Sequence, residues 1–245
     1  MPMLKRRLRF VIVIMVMALL CIAFAILLHR SGETLLQRAF LAHDKEALAA
    51  LCDGTKQSKE LLEQGLRDSN AAIRAGCIRI LAKHYELSCD RITPLLQDDS
   101  IAVRVAAVEA LAVAAAHGDK AAEEAIRQAM QDPAAAVRAA ALRALHVDES
   151  ATELLKTALG DKNAQVRLVA AEALVLQGNK SGIPVLIELL SERTVARAAF
   201  AVLHRATGLT FNWDKERTQE GRAAAQQRWR RWWRRHGRYF SLKTK

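Results

Sequence analysis

The chain has 245 residues, of which 51% are hydrophobic but only 5% aromatic. This is enough apolar material for one substantial domain plus an appendage, and abundant alanine with so few aromatics favours closely packed helices over a β-sandwich. The net charge of +11 sits at the ends: residues 1–30 carry five Lys/Arg and no acid, residues 31–208 carry 21 basic and 23 acidic side chains, and residues 209–245 carry 11 basic and three acidic. A near-neutral body between two basic ends is not the footprint of a domain that wraps nucleic acid, so nucleic acid is not an expected partner.

Residues 1–9 form a basic N-terminus, followed by FVIVIMVMALLCIAFAILL from Phe10 to Leu28, 19 residues without a charge. A helix of that length just crosses a bilayer core, which predicts a transmembrane anchor over residues 10–28 in an inner membrane. Lys5, Arg6, Arg7 and Arg9 outweigh Arg30 and Arg38, so the positive-inside rule predicts a cytoplasmic N-terminus and a body in the periplasm or outside the cell. Ala23-Phe24-Ala25 offers a signal-peptidase site, but the run stays apolar through Leu28, past the point where a cleaved segment ends. Leu20 before Cys21 departs from the small residue that a lipoprotein box requires.

Residues 29–54 read as a linker and a degenerate helix pair. Beyond the anchor stand Cys52, Cys77 and Cys89, and an oxidising compartment permits one disulfide among them. Cys77 has the spacing of a small buried helix residue, and the absence of C-x-x-C gives no sign of a zinc ribbon or a thioredoxin-type site.

From residue 55 to 207 a repeat dominates. DSNAAIRAGCIRIL, DDSIAVRVAAVEAL, DPAAAVRAAALRAL, DKNAQVRLVAAEAL and SERTVARAAFAVLH align on Arg74, Arg104, Arg138, Arg167 and Arg197, spaced by 30, 34, 29 and 30 residues. Asp68, Asp98, Asp132 and Asp161 each stand six positions before their arginine, and Ser191 takes that place in the last unit. Each unit reads as a short first helix, such as LLEQGLR or ITPLLQ, then a second helix that starts soon after the aspartate. One such pair cannot bury its apolar face alone, so neighbours must stack into an α-solenoid of about five pairs.

The D-x5-R pattern followed by A-x2-A-L resembles HEAT repeats, in particular the short bacterial type named after phycobilisome lyases. The resemblance implies that the aspartates and arginines are structural, linking the turns of successive repeats as a ladder of charge pairs. It also brings enzymatic relatives to weigh. None of the seven histidines is followed by Glu, unlike the His-Glu pairs of the HEAT-type di-iron hydroxylase, and no catalytic or nucleotide-binding motif is present. A lyase-like enzyme or cofactor chaperone is the alternative to a non-catalytic scaffold for protein partners. No catalytic residue, metal or cofactor is expected.

Residues 208–245 form a basic Trp/Arg-rich tail. Thr207-Gly208 predicts a helix stop, Leu209 to Trp213 an extended linker, and Arg222 to His236 a final helix ended by Gly237. At 100° per residue, Ala225, Trp232, Trp233 and His236 fall within about 60° of Trp229, while Arg230, Arg231, Arg234 and Arg235 point elsewhere. Trp213, Trp229, Trp232 and Trp233 therefore suit a cap over the last repeat, and the four arginines suit an anionic surface such as lipid headgroups. The whole reads as an all-α solenoid of HEAT pairs with an N-terminal transmembrane helix and a C-terminal Trp/Arg capping helix.

Overall fold

A computed structural model describes residues 35–85, 88–145, 149–215 and 218–242. The predicted basic N-terminus (1–9) and anchor (10–28) lie outside the described residues; among those that are described, no helix is long and apolar enough to cross a membrane. Every regular element among the described residues is helical, and the chain divides into two compact units, before and after Ser88.

The first unit contains a helix over residues 35–40 (α1), then α2 (Lys45–Leu51), α3 (Lys56–Gly65) and α4 (Ala71–His84). Its turns carry caps that satisfy the free N–H groups of a helix start. The Asp44 carboxylate accepts from the N–H groups of Glu46 and Ala47, Thr55 Oγ1 from Ser58, and Asn70 Oδ1 from Ala72. Leu51, Leu62, Ile73, Cys77, Ile78 and Leu81 form the buried interior. Close approach is purchased with glycine: a Cβ on Gly65 would come within 2.5 Å of Cys77 Sγ, and one on Gly76 would strike the Phe40 ring.

The second unit stacks helix pairs. It contains α5 (Cys89–Ile92) with a 3-10 turn (Thr93–Gln97) and α6 (Ile101–Ala116), then α7 (Lys120–Ala129) with α8 (Ala135–Ala144). The next pairs are α9 (Glu149–Ala158) with α10 (Ala164–Leu176) and α11 (Gly182–Leu189) with α12 (Ala196–Thr207). The second helices pack in sequence, α6 on α8, α8 on α10 and α10 on α12. Small residues allow that approach, and Ala106, Ala107, Ala141, Ala170, Ala171 and Ala199 are fully buried. The segment ITPLLQ departs from the predicted helix in being a 3-10 turn that runs on directly from α5, where Pro94 has no N–H to continue the hydrogen-bond ladder of α5.

After α12, Gly208 closes the helix in the left-handed conformation at φ 76°, its N–H bonded to His204 O. The predicted extended linker is instead a tight corner. Phe211 and Asn212 both have positive φ, 47° and 61°, and a 3-10 turn (Trp213–Lys215) follows. The final helix, α13 (Gln219–His236), starts three residues before Arg222, because Thr218 Oγ1 caps it by accepting from Gly221 N–H.

Candidate functional site

Three features share the second unit: a chain of charge pairs, an aromatic cap and a cationic groove. The charge pairs begin with the same local device at each turn. Asp98, Asp132 and Asp161 each accept the backbone N–H two residues on through Oδ1, at 2.7–2.8 Å. The arginine six residues later donates from Nη1 back to the carbonyl of that aspartate and of its neighbour. Its remaining nitrogens reach the next repeat. Arg104 donates from Nε and Nη2 to both carboxylate oxygens of Asp132, at 2.8 and 3.1 Å. Arg138 does the same to Asp161, at 2.8 Å each. In the first unit, Asp68 and Arg74 make the same intra-repeat contacts.

These pairs are largely out of water, with side-chain exposure of 9% for Arg138 and 14% for Asp161. Such charges are tolerated only when paired and fully hydrogen-bonded. The Arg138 hydrogen bond, with help from the Asn163 N–H, holds the Asp161 carboxyl below the usual range, and the guanidiniums of Arg104 and Arg138 are raised in turn by their carboxylates. The series weakens at its C-terminal end. Where Ser191 replaces the aspartate, Arg167 reaches Glu192 at 3.5 Å, and Arg197 is exposed with no carboxylate within ion-pair distance among the described residues.

Cysteine chemistry is muted. Cys52, Cys77 and Cys89 are free thiols. Burial pushes Cys77 up to about 12. Cys89 rises to about 11, through burial and then its hydrogen bond to Asp119, whose carboxyl falls below its ordinary range chiefly by accepting from that thiol. Among the described residues no group of three or more His, Cys, Asp or Glu could hold a metal ion.

The aromatic cap covers the last pair. Trp229 is wholly buried and Trp213 nearly so, in one core with Leu186, Ile187, Leu203 and Ala225. Phe211 meets Trp229 edge-on at 4.8 Å, which explains its left-handed backbone: the chain must double back to place that ring. Trp213 stacks on Phe200 at 4.7 Å. Trp232 and Trp233 are half-buried around it, with Trp232 meeting Phe240 edge-on at 5.2 Å. Gly237 caps α13 in a right-handed conformation, and the glycine there serves close approach, since a Cβ would lie 2.8 Å from the Trp233 ring. Gln226, buried on the same face, donates to Ile187 O and Glu188 O, carbonyls of the last turn of α11 that also accept from the N–H groups of Leu190 and Ser191, and so ties α13 to α11.

Between them, α11 and α13 line an open groove of about 540 Å³, α11 contributing Pro184, Ile187 and Glu188 and α13 contributing Trp233 with Arg230, Arg231 and Arg234. Arg230 is engaged by both oxygens of Glu188. Arg231 and Arg234 are exposed and, among the described residues, have no carboxylate within ion-pair distance; Arg235 is likewise exposed but does not line the groove. The four arginines, alike in the sequence, are separated by the fold. Pro184, Ile187 and Glu188 carry no local signal in the sequence, because only the docking of α13 on α11 brings them into the site.

The stacked pairs have a recognisable relative in sequence. A family model described as HEAT repeats matches residues 89–147, which span α5 to α8. Residues 89–147 are HEAT repeats. No curated protein matches the chain. Among solved structures, the X-ray structure of YibA from E. coli is 19% identical, with a TM-score of 0.43 over 82% of this chain and 83% of that one. An engineered protein is 20% identical, with a TM-score of 0.40 over 71% of this chain and 96% of its own. The HEAT arrangement leaves the second helices side by side, and α6, α8 and α10 line an open groove of about 460 Å³ floored by Ala112, Ala136 and Ala140 and edged by Glu109, Arg143 and Gln165.

Proposed function

We propose that this HEAT-repeat chain is a non-catalytic scaffold for protein partners, held by residues 10–28 on the exported side of a membrane. The observation that carries the reading is the groove along α6, α8 and α10: a floor of small apolar residues with a polar rim, laid over helices whose turns are locked by the Arg104–Asp132 and Arg138–Asp161 pairs. A rigid, shallow surface of that kind suits a partner's helix or loop better than it suits a small substrate, which needs enclosure and convergent polar groups. Orientation in the membrane rests on the basic residues ahead of Phe10 and the uncharged run that follows.

The test places a photo-crosslinking amino acid at Ala136 in the full chain in its native cell. Discrete protein adducts in the membrane fraction are expected, and alkaline phosphatase fused after Lys245 should be active. Purification with a bound chromophore, or adducts confined to small molecules, would favour a lyase-like enzyme or cofactor chaperone and defeat the scaffold.

A further inference from the structure

We infer that the groove between α11 and α13 takes a short acidic peptide segment of a partner protein, one apolar side chain seated against Ile187 and Trp233 and flanking carboxylates on Arg231 and Arg234. This rests on the scaffold reading and names the chemistry of one partner. Three observations carry it. The groove combines apolar lining, Pro184 and Ile187 from α11 and Trp233 from α13, with the guanidiniums of Arg230, Arg231 and Arg234 on α13. Its volume, about 540 Å³, lies in the range of sites that enclose a ligand of a few residues. The surface also already holds one carboxylate in the required manner, since Glu188 occupies Arg230 through both oxygens while Arg231 and Arg234 stand exposed beside it.

A bilayer is the competing occupant, and the aromatics argue against it. Trp229 is wholly buried and Trp232 packs on Phe211, Phe240 and Trp233, so of the three rings on α13 only Trp233 lines the groove, and it is half-buried. Lipid headgroups would draw on the whole stripe of Arg231, Arg234, Arg235 and Arg238, which recur at helical spacing; the groove uses only the first two.

The experiment measures fluorescence anisotropy of a labelled Glu-Glu-Leu-Glu-Glu peptide with the full chain in zwitterionic detergent at low salt. Saturable binding is expected, weakened about tenfold by Arg231→Gln or Arg234→Gln through loss of a charge-assisted bond, and unchanged by Arg235→Gln or Arg238→Gln. Replacing the peptide's Leu by Gly should weaken it severalfold. These arginines are exposed, so the variants should keep parent circular dichroism and tryptophan emission. No saturable binding by the folded parent overturns the inference. Equal losses in all four variants, with displacement by phosphatidylglycerol bicelles, overturn it in favour of a lipid surface. Failure here with the Ala136 adducts intact leaves the scaffold standing; loss of those adducts with peptide binding intact does the reverse.

Discussion

Replacing Arg138 by alanine should destabilise the second unit by about 3 kcal/mol, and the value follows from what the side chain holds. Arg138→Ala leaves the Asp161 carboxylate, 14% exposed, with the Asn163 N–H in place of three donors, and strips the Asp132 and Pro133 carbonyls of their guanidinium partner. Breaking one side of a buried, bidentate pair costs about 3–5 kcal/mol, and the residual exposure favours the lower end. Arg167→Ala is the control. It loses equivalent bonds to the Asp161 and Lys162 carbonyls, worth about 1 kcal/mol, but its ion pair is long and its partner Glu192 is 50% exposed, so that pair adds at most about 0.5 kcal/mol. Urea unfolding followed by circular dichroism should therefore separate the two by about 2 kcal/mol, with faster hydrogen exchange in α8 and α10 for Arg138→Ala. Arg138→Met combined with Asp161→Asn should recover part of the loss, since no lone charge remains buried. Equal effects at positions 138 and 167 would refute the argument that burial and bidentate geometry set the strength of each link.

Trp229→Ala empties the largest fully buried side chain from the cap and should cost about 3–5 kcal/mol, with α13 exchanging its amides first; a loss below about 1 kcal/mol would mean that the cap does not seal the core. Because the folded Asp161 carboxyl titrates below its unfolded value, its stabilisation is complete above the unfolded value and is lost as pH falls through the folded one. The urea midpoint should therefore drop below about pH 4, and less steeply in Arg138→Ala. Peptide mapping after alkylation at pH 8 should find Cys52 labelled well before Cys77 and Cys89, whose thiols titrate near 12 and 11; equal labelling would contradict their burial.

The parts legible in the sequence were those that repeat. Five arginines in register marked the helix pairs because each copy solves the same local problem, an aspartate closing a turn and an arginine returning to it. Trp229 was readable as a core residue from helical phase alone. The corner at Phe211 and Asn212 was not: Asn212 accepts a left-handed backbone readily, but Phe211 does not, and the cap's ring packing holds it there. The groove escaped for a related reason: Glu188 and Arg230 are 42 residues apart, and nothing local to either announces the other.

Each arginine link has a direction. It grips its own turn through main-chain carbonyls, which any sequence supplies, and the following turn through a carboxylate, which must be encoded. Arg104 therefore meets at Asp132 the same chemical socket that Arg138 meets at Asp161, so units are interchangeable parts that a gene could duplicate or lose whole without redesigning the joint. The row ends differently: Ser191 fills the aspartate's place, Arg197 has no carboxylate to grip among the described residues, and the tryptophan helix packs over the last pair instead.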